Sequence, residues 1–92
     1  MIVDFHAHIG QSKVFGNRFA NAKSVVEVMD RHKIDKAVLL PTASSVNSRY
    51  YEDVRDALEE FPDRFYGFFL ANPRERNVCE LMERAICDHS LR

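Results

Sequence analysis

The sequence lacks the features that mark a secreted or membrane-bound chain. Its start, Met1-Ile2-Val3-Asp4-Phe5-His6, has no basic stretch, no long apolar core and no small-residue cleavage site, so it does not read as a secretory signal. Apolar runs are short: the longest lie around residues 37–40 and 68–71, far below the ~20 residues a membrane span needs. Solubility is the expectation. Charge of one sign is also missing, since 13 basic residues face 14 acidic ones for a net charge of −1, and neither sign forms a long block. That balance argues against nucleic acid or an anionic membrane as a partner. Cysteine is scarce. Cys79 and Cys87 stand two helical turns apart in a helical pattern, roughly 12 Å along the axis and too far for a disulfide within one helix. Free thiols fit a reducing cytoplasm.

What is present is enough for a core: 46% of the 92 residues are hydrophobic and 11% aromatic, which bounds the chain at one small domain, residues 1–92. The first stretch, Val3 to Ile9, alternates as a strand. Residues 11–23 have no period and read as a loop. Ser24 and Glu27 match a capping box, which predicts a helix from about Val25 to Lys33 that buries Val25, Val28 and Met29, with His32 a helix-end residue favoured by the dipole. Residues 36–40 form a continuous apolar run between Asp35 and Pro41, as expected for a parallel strand buried on both faces.

A polar loop follows at residues 41–45. Asn47 or Ser48 then caps a helix with Tyr51, Val54, Ala57, Leu58 and Phe61 at helical spacing, stopped by Pro62. Tyr50 and Tyr51 are read as packing residues in preference to substrate contacts. Residues 64–71 give a further strand, in which Gly67 signals the close approach of another group. Asn77 is positioned to cap a last helix burying Val78, Leu81, Met82, Ala85 and Ile86, with Cys79 and Cys87 structural and His89 solvated. The order strand, helix, three times over at about thirty residues per unit, implies right-handed βαβ crossovers and a parallel sheet. The fold class is α/β.

The polar chemistry concentrates in Asp4-Phe5-His6-Ala7-His8. Strand alternation puts Asp4, His6 and His8 on one face, and Val3, Phe5 and Ala7 on the other, against helices. Two imidazoles at a strand end, entering a Gly-containing loop, can converge on one divalent cation. An ordinary surface or hydrogen-bonded role for the two histidines fits their sequence equally well. Their place at the C-terminal end of the first strand of a βα series is where such folds carry their chemistry.

Residues 2–10, Ile-Val-Asp-Phe-His-Ala-His-Ile-Gly, resemble the opening of the amidohydrolase superfamily. Residues 29–41 and 61–73 resemble the approaches to the second and third strands of its amidohydrolase-2 branch, related to aminocarboxymuconate semialdehyde decarboxylase. The resemblance covers nearly the whole chain. It implies the N-terminal part of a (β/α)8 TIM-type barrel, three units of eight, with His6 and His8 as metal ligands. Asp4 would be a same-face neighbour that orients or polarises the site without touching the metal, Arg74 a substrate contact in a pocket formed by loops 11–23, 42–46 and 72–76, and zinc the divalent metal. The implied activity is hydrolysis of a small amide, ester or lactone, or non-oxidative decarboxylation, on a small-molecule substrate. The family's remaining ligands and its general base belong to later strands and have no counterpart here, so the chain alone is expected to be an incomplete, inactive fragment able to self-associate through its sheet edges. A non-enzymatic oligomerising or interaction module derived from the barrel is the alternative from another class. A phosphoesterase of the histidinol-phosphatase type or a nuclease of the TatD type, which share the Asp-x-His-x-His opening, is the second alternative.

Overall fold

The computed structural model describes residues 1–12, 18–41 and 51–91. Along the chain run β1 (Val3–Ser12), β2 (Arg18–Ala20), α1 (Ala22–Arg31), β3 (Lys36–Pro41), α2 (Glu52–Glu60), β4 (Phe65–Gly67) and α3 (Val78–His89). The sheet order is β2-β1-β3-β4. β1, β3 and β4 are parallel, and β2 lies antiparallel to the end of β1, with Gly10 beside Ala20 and Ser12 beside Arg18. The three parallel strands with their helices are the βα units expected from the sequence. The short hairpin partner β2 was not: residues 18–20 fall inside the stretch read as an aperiodic loop. The expected caps Asn47 and Ser48, Tyr50 and the loop 42–46 lie outside the described residues.

β3 is the centre. Its residues Ala37, Val38 and Leu39 are all buried, as a strand flanked on both edges requires. Ala37 and Leu39 face the helices together with Phe65 and Ile9, against Ala22, Val26 and Met29 of α1 and Val54 and Ala57 of α2. The helical spacing of α2 is as the sequence implies, with Tyr51, Val54 and Ala57 buried and Leu58 and Phe61 packed at the core's margin.

α1 starts earlier than the Ser24 capping box predicts. Asn21 is the N-cap: its side-chain oxygen accepts the Ser24 amide at 2.8 Å, and the Ser24 hydroxyl donates back to the Asn21 carbonyl at 2.9 Å. An amide side chain caps as well as a hydroxyl does, and the helix turns Ala22, Val26 and Met29 inward. Val28, expected inside, is 48% exposed. At the other end Lys33 takes a left-handed conformation (φ 58°). The amides of Lys33 and Ile34 return to the carbonyls of Asp30 and Met29, the bonding of a Schellman stop.

Arg64 then ties this corner to β3. Its guanidinium pairs with Asp30 at 2.8 Å and donates to the carbonyls of Asp35 and Ile34. The Asp35 carboxylate in turn accepts the Ile2 amide at 2.7 Å. All of this lies at the N-terminal end of the sheet and leaves the opposite end for chemistry.

β4 is shorter than the strand expected over residues 64–71, and α3 is less buried than its pattern suggests. Of the five apolar side chains expected inside, only Ala85 is buried. Met82 and Ile86 are exposed, and Val78 and Leu81 are half-covered. Asn77 stands at the N-cap position but makes no side-chain capping bond. Cys79 and Cys87 are free, exposed helix residues.

Candidate metal-binding site

The geometry of β1 departs from simple alternation at the residues that matter. Asp4 lies beside Ala37 and Ala7 beside Leu39, so three steps along β1 match two along β3. This is a bulge. Its local cause is a side chain competing for the backbone: the Asp4 carboxylate accepts the His6 amide at 3.0 Å, a turn that Asp favours and that pulls the strand off its ladder.

Neighbouring residues of parallel strands point the same way. Asp4 and Ala7 therefore share the helix face with Ala37 and Leu39, and His8, beside Leu40, points to the opposite face, which is helix-free among the described residues. Two expectations are corrected. Asp4 does not share a face with His6 and His8: it lines a cavity of about 250 Å³ against α1 with Ala7, Val25 and Val28, and it reaches His6 through the main chain and not the ring. Phe5 and Val3 do not pack on the helices: Phe5 is 73% exposed, and Val3, beside Lys36, lies on the opposite face and is exposed.

His6 and His8 do converge. Their Nε2 atoms are 3.0 Å apart and the rings meet edge-on, with centroids at 4.9 Å and planes at 67°. Two nitrogen donors on a tetrahedral zinc with bonds of 2.0–2.1 Å are about 3.3 Å apart. The pair fits two corners of such a site within a few tenths of an ångström. Among the described residues no group of three or more His, Cys, Asp or Glu is placed to hold a metal ion, so the donor geometry fits while the donor number falls one short of the three a catalytic zinc takes.

His32 is the exposed C-cap of α1, at the other end of the sheet. Arg74 is exposed in the turn after β4, where the Asn72 side chain accepts its backbone amide at 3.0 Å. Parallel strands put that turn at the same end of the sheet as His8, with β3 between.

An acid that periodicity did not flag also stands at this end. Asp53, in the first turn of α2, lies so close to Gly10 that a Cβ there would sit 2.6 Å from its Oδ2, and Gly10 itself has φ 99°. Glycine is required twice over, for space and for backbone conformation. No local pattern links residues 10 and 53; a glycine just after the His-x-His stretch is the one available hint. Burial, then Asp56 and Glu52, raise the Asp53 pKa above its usual 3.8. The folded state then holds this proton more tightly than the unfolded chain. Stability falls as pH rises from about 3.8 through the raised value, and the deficit persists at neutral pH. Asp53→Asn is expected to raise the melting temperature at neutral pH, with an advantage that shrinks towards zero as the pH drops below that window. Thermal melts of both proteins across acid to neutral pH check this.

No family model matches the chain, and no curated protein matches it. Among solved structures, a probable 2-pyrone-4,6-dicarboxylic acid hydrolase from Acinetobacter baumannii, with citric acid bound, superposes with a TM-score of 0.61 and 18% identity over 88% of this chain. The fold is part of a (β/α)8 barrel. The chain spans about a third of that structure's length, 34%. The three parallel strands and their helices are thus barrel units, and the helix-free face bearing His6 and His8 corresponds to a barrel interior. In such folds the C-terminal strand ends, where the two histidines stand, carry the active site. No helix among the described residues is long and apolar enough to cross a membrane.

Proposed function

We propose that this chain carries the two-histidine part of the metal centre of an amidohydrolase-type hydrolase, with a small cyclic ester, ester or amide bearing carboxylates as substrate. The observation that supports it is the 3.0 Å separation of the His6 and His8 Nε2 atoms, on the barrel-interior side of β1 at its C-terminal end. His6 and His8 would hold the ion, zinc being the metal whose bond lengths suit the pair. When bound, such a metal polarises a carbonyl oxygen and acidifies water. The chain's own residues orient. The Asp4 carboxylate fixes the bulge that turns His6 beside His8, and Arg74, on the same end of the sheet, offers a planar fork for a substrate carboxylate.

Hydrolysis is preferred to decarboxylation because the superposing structure is that of a probable 2-pyrone-4,6-dicarboxylic acid hydrolase; a 2-pyrone is a cyclic ester. With two protein donors the chain alone is catalytically incomplete. The exposed thiols of Cys79 and Cys87 favour a reducing, cytoplasmic setting.

Zinc titration of the metal-stripped protein by calorimetry tests the reading. One ion per chain is expected for the wild type. His6→Ala and His8→Ala should each weaken binding by more than about tenfold, the lower bound set by removing even an outer partner of a metal ligand. Undiminished binding in the double variant, or none in the wild type, would refute it.

A further inference from the structure

Gly10 is where β1 changes partners. Up to Ile9, beside Pro41, the strand runs parallel to β3; from Gly10, beside Ala20, it runs antiparallel to β2. The main chain makes that exchange at φ 99°, a conformation that glycine adopts freely and other residues resist. The junction lies two residues beyond His8, at the end of the sheet that carries the histidine pair.

One carboxyl group stands against this junction. A Cβ on Gly10 would meet Asp53 Oδ2 at 2.6 Å and its Cγ at 3.4 Å, so the first turn of α2 leans its acid onto the main chain of β1. No hydrogen bond or ion pair to a described residue offsets the close approach. Arg55 is engaged elsewhere, its guanidinium donating to Asp56 at 2.8 and 2.9 Å. Glu52 and Asp56, on the same helix, are themselves acids. On the strands that α2 packs against, Asp4 lines the cavity at α1 and His6 pairs with His8. His8, Lys36 and Tyr66 lie on the opposite face of the sheet. None of them supplies a counter-charge.

This surrounding favours the neutral acid. Burial is the largest cause of its raised pKa, and it is the cause that parting Gly10 from Asp53 relieves; Asp56 and Glu52 travel with α2 and stay. We infer that Asp53 is a proton-operated catch on the β1–β2 hairpin: protonated, it lets Gly10 seat against α2, and ionised, it favours parting of the hairpin from α2 at the Gly10 junction. The seated form binds the proton more tightly. The parted form therefore gains as pH rises from about 3.8 through the raised value, and keeps that gain at neutral pH. The part that moves is small, residues 10–12 paired with 18–20, and a two-stranded ribbon of that size is marginal by itself. Because the junction adjoins His8, the catch makes access to the histidine end of the sheet depend on pH.

Amide hydrogen exchange of the metal-free chain, wild type against Asp53→Asn, tests this. Asparagine keeps the shape and cannot ionise, and comparing the two proteins at the same pH cancels the intrinsic exchange rate. At neutral pH the amides of residues 10–12 and Ala20 are expected to exchange faster in the wild type, and the difference should vanish in acid below about 3.8. They should also exchange faster than Ala37 and Phe68, whose amides donate to the Arg64 and Leu39 carbonyls inside the sheet and report opening of the whole fold. Equal exchange of residues 10–12 in the two proteins at neutral pH would overturn the inference. So would hairpin amides that open no faster than Ala37 and Phe68, since the hairpin would then part only when the chain unfolds. No metal takes part, so this result stands apart from the zinc titration.

Discussion

Leu39→Ala is expected to lower stability by about 2–5 kcal/mol, a large part of the total of about 5–15 kcal/mol that a domain of this kind has. Leu39 is 0% exposed. It occupies the middle of the central strand, beside Ala7 and Gly67, and its carbonyl accepts the Phe68 amide at 3.0 Å. Its neighbours are held by sheet pairing on both sides, so the cavity left by truncation cannot collapse, and the cost falls toward the upper part of the range. Phe5→Ala is the informative contrast. Unbroken alternation along β1 would bury Phe5 and make its truncation cost about 3–5 kcal/mol. With the bulge, Phe5 is 73% exposed and the expected change lies within about 0.5 kcal/mol. Urea denaturation of the two variants separates these outcomes. A costly Phe5→Ala would place the residue in the core and contradict the bulged register.

The second large effect is expected from the smallest residue of the core. At Gly67 a single added methyl would sit 2.5 Å from Leu91 Cδ2, 2.5 Å from Val54 Cγ1 and 2.8 Å from Leu58 Cδ1. The two leucine ends can rotate aside. Val54 cannot, because it is β-branched, stiff at χ1 and 0% exposed. Either α2 moves off β4 or the strand shifts away from β3. Gly67→Ala is therefore expected to cost about 1–3 kcal/mol, with Gly67→Val worse, read as a lower denaturation midpoint with an unchanged slope. A neutral Gly67→Ala would show that α2 packs less closely on the strand than described.

Gly67 also shows what the sequence makes legible. A glycine inside an apolar run is costly unless something needs its space, and here a valine and two leucines do. The apolar run of β3 and the spacing of Val54 and Ala57 were readable for a similar reason: burial on two faces, or on one helical face, leaves a pattern that local competitors do not disturb. Where a side chain captures the backbone, the pattern misleads. Asp4 bonding the His6 amide inserts a bulge that reverses the faces of Asp4 and Phe5. Asn21, not Ser24, captures the start of α1, and the buried stripe runs through Ala22, Val26 and Met29 with Val28 outside it. β2 was illegible because three residues of a hairpin carry no period of their own. α3 fails differently: Met82 and Ile86 have the pattern of a buried face, yet among the described residues they stay 37% and 46% exposed. Of the site, the pairing of His6 with His8 was readable from their spacing. The approach of Asp53 to Gly10 was not, since it depends on how α2 meets the end of β1.

The central claim is that His6 and His8 act as one donor pair through Nε2. Its most direct test is a ring 1H–15N correlation spectrum of the histidines recorded during zinc titration. The expected result is that the Nε2 resonances of His6 and His8 shift together and saturate at one ion per chain while those of His32 stay in place. Zinc perturbing one ring of the pair without the other, or following His32 or His89 instead, would contradict the account.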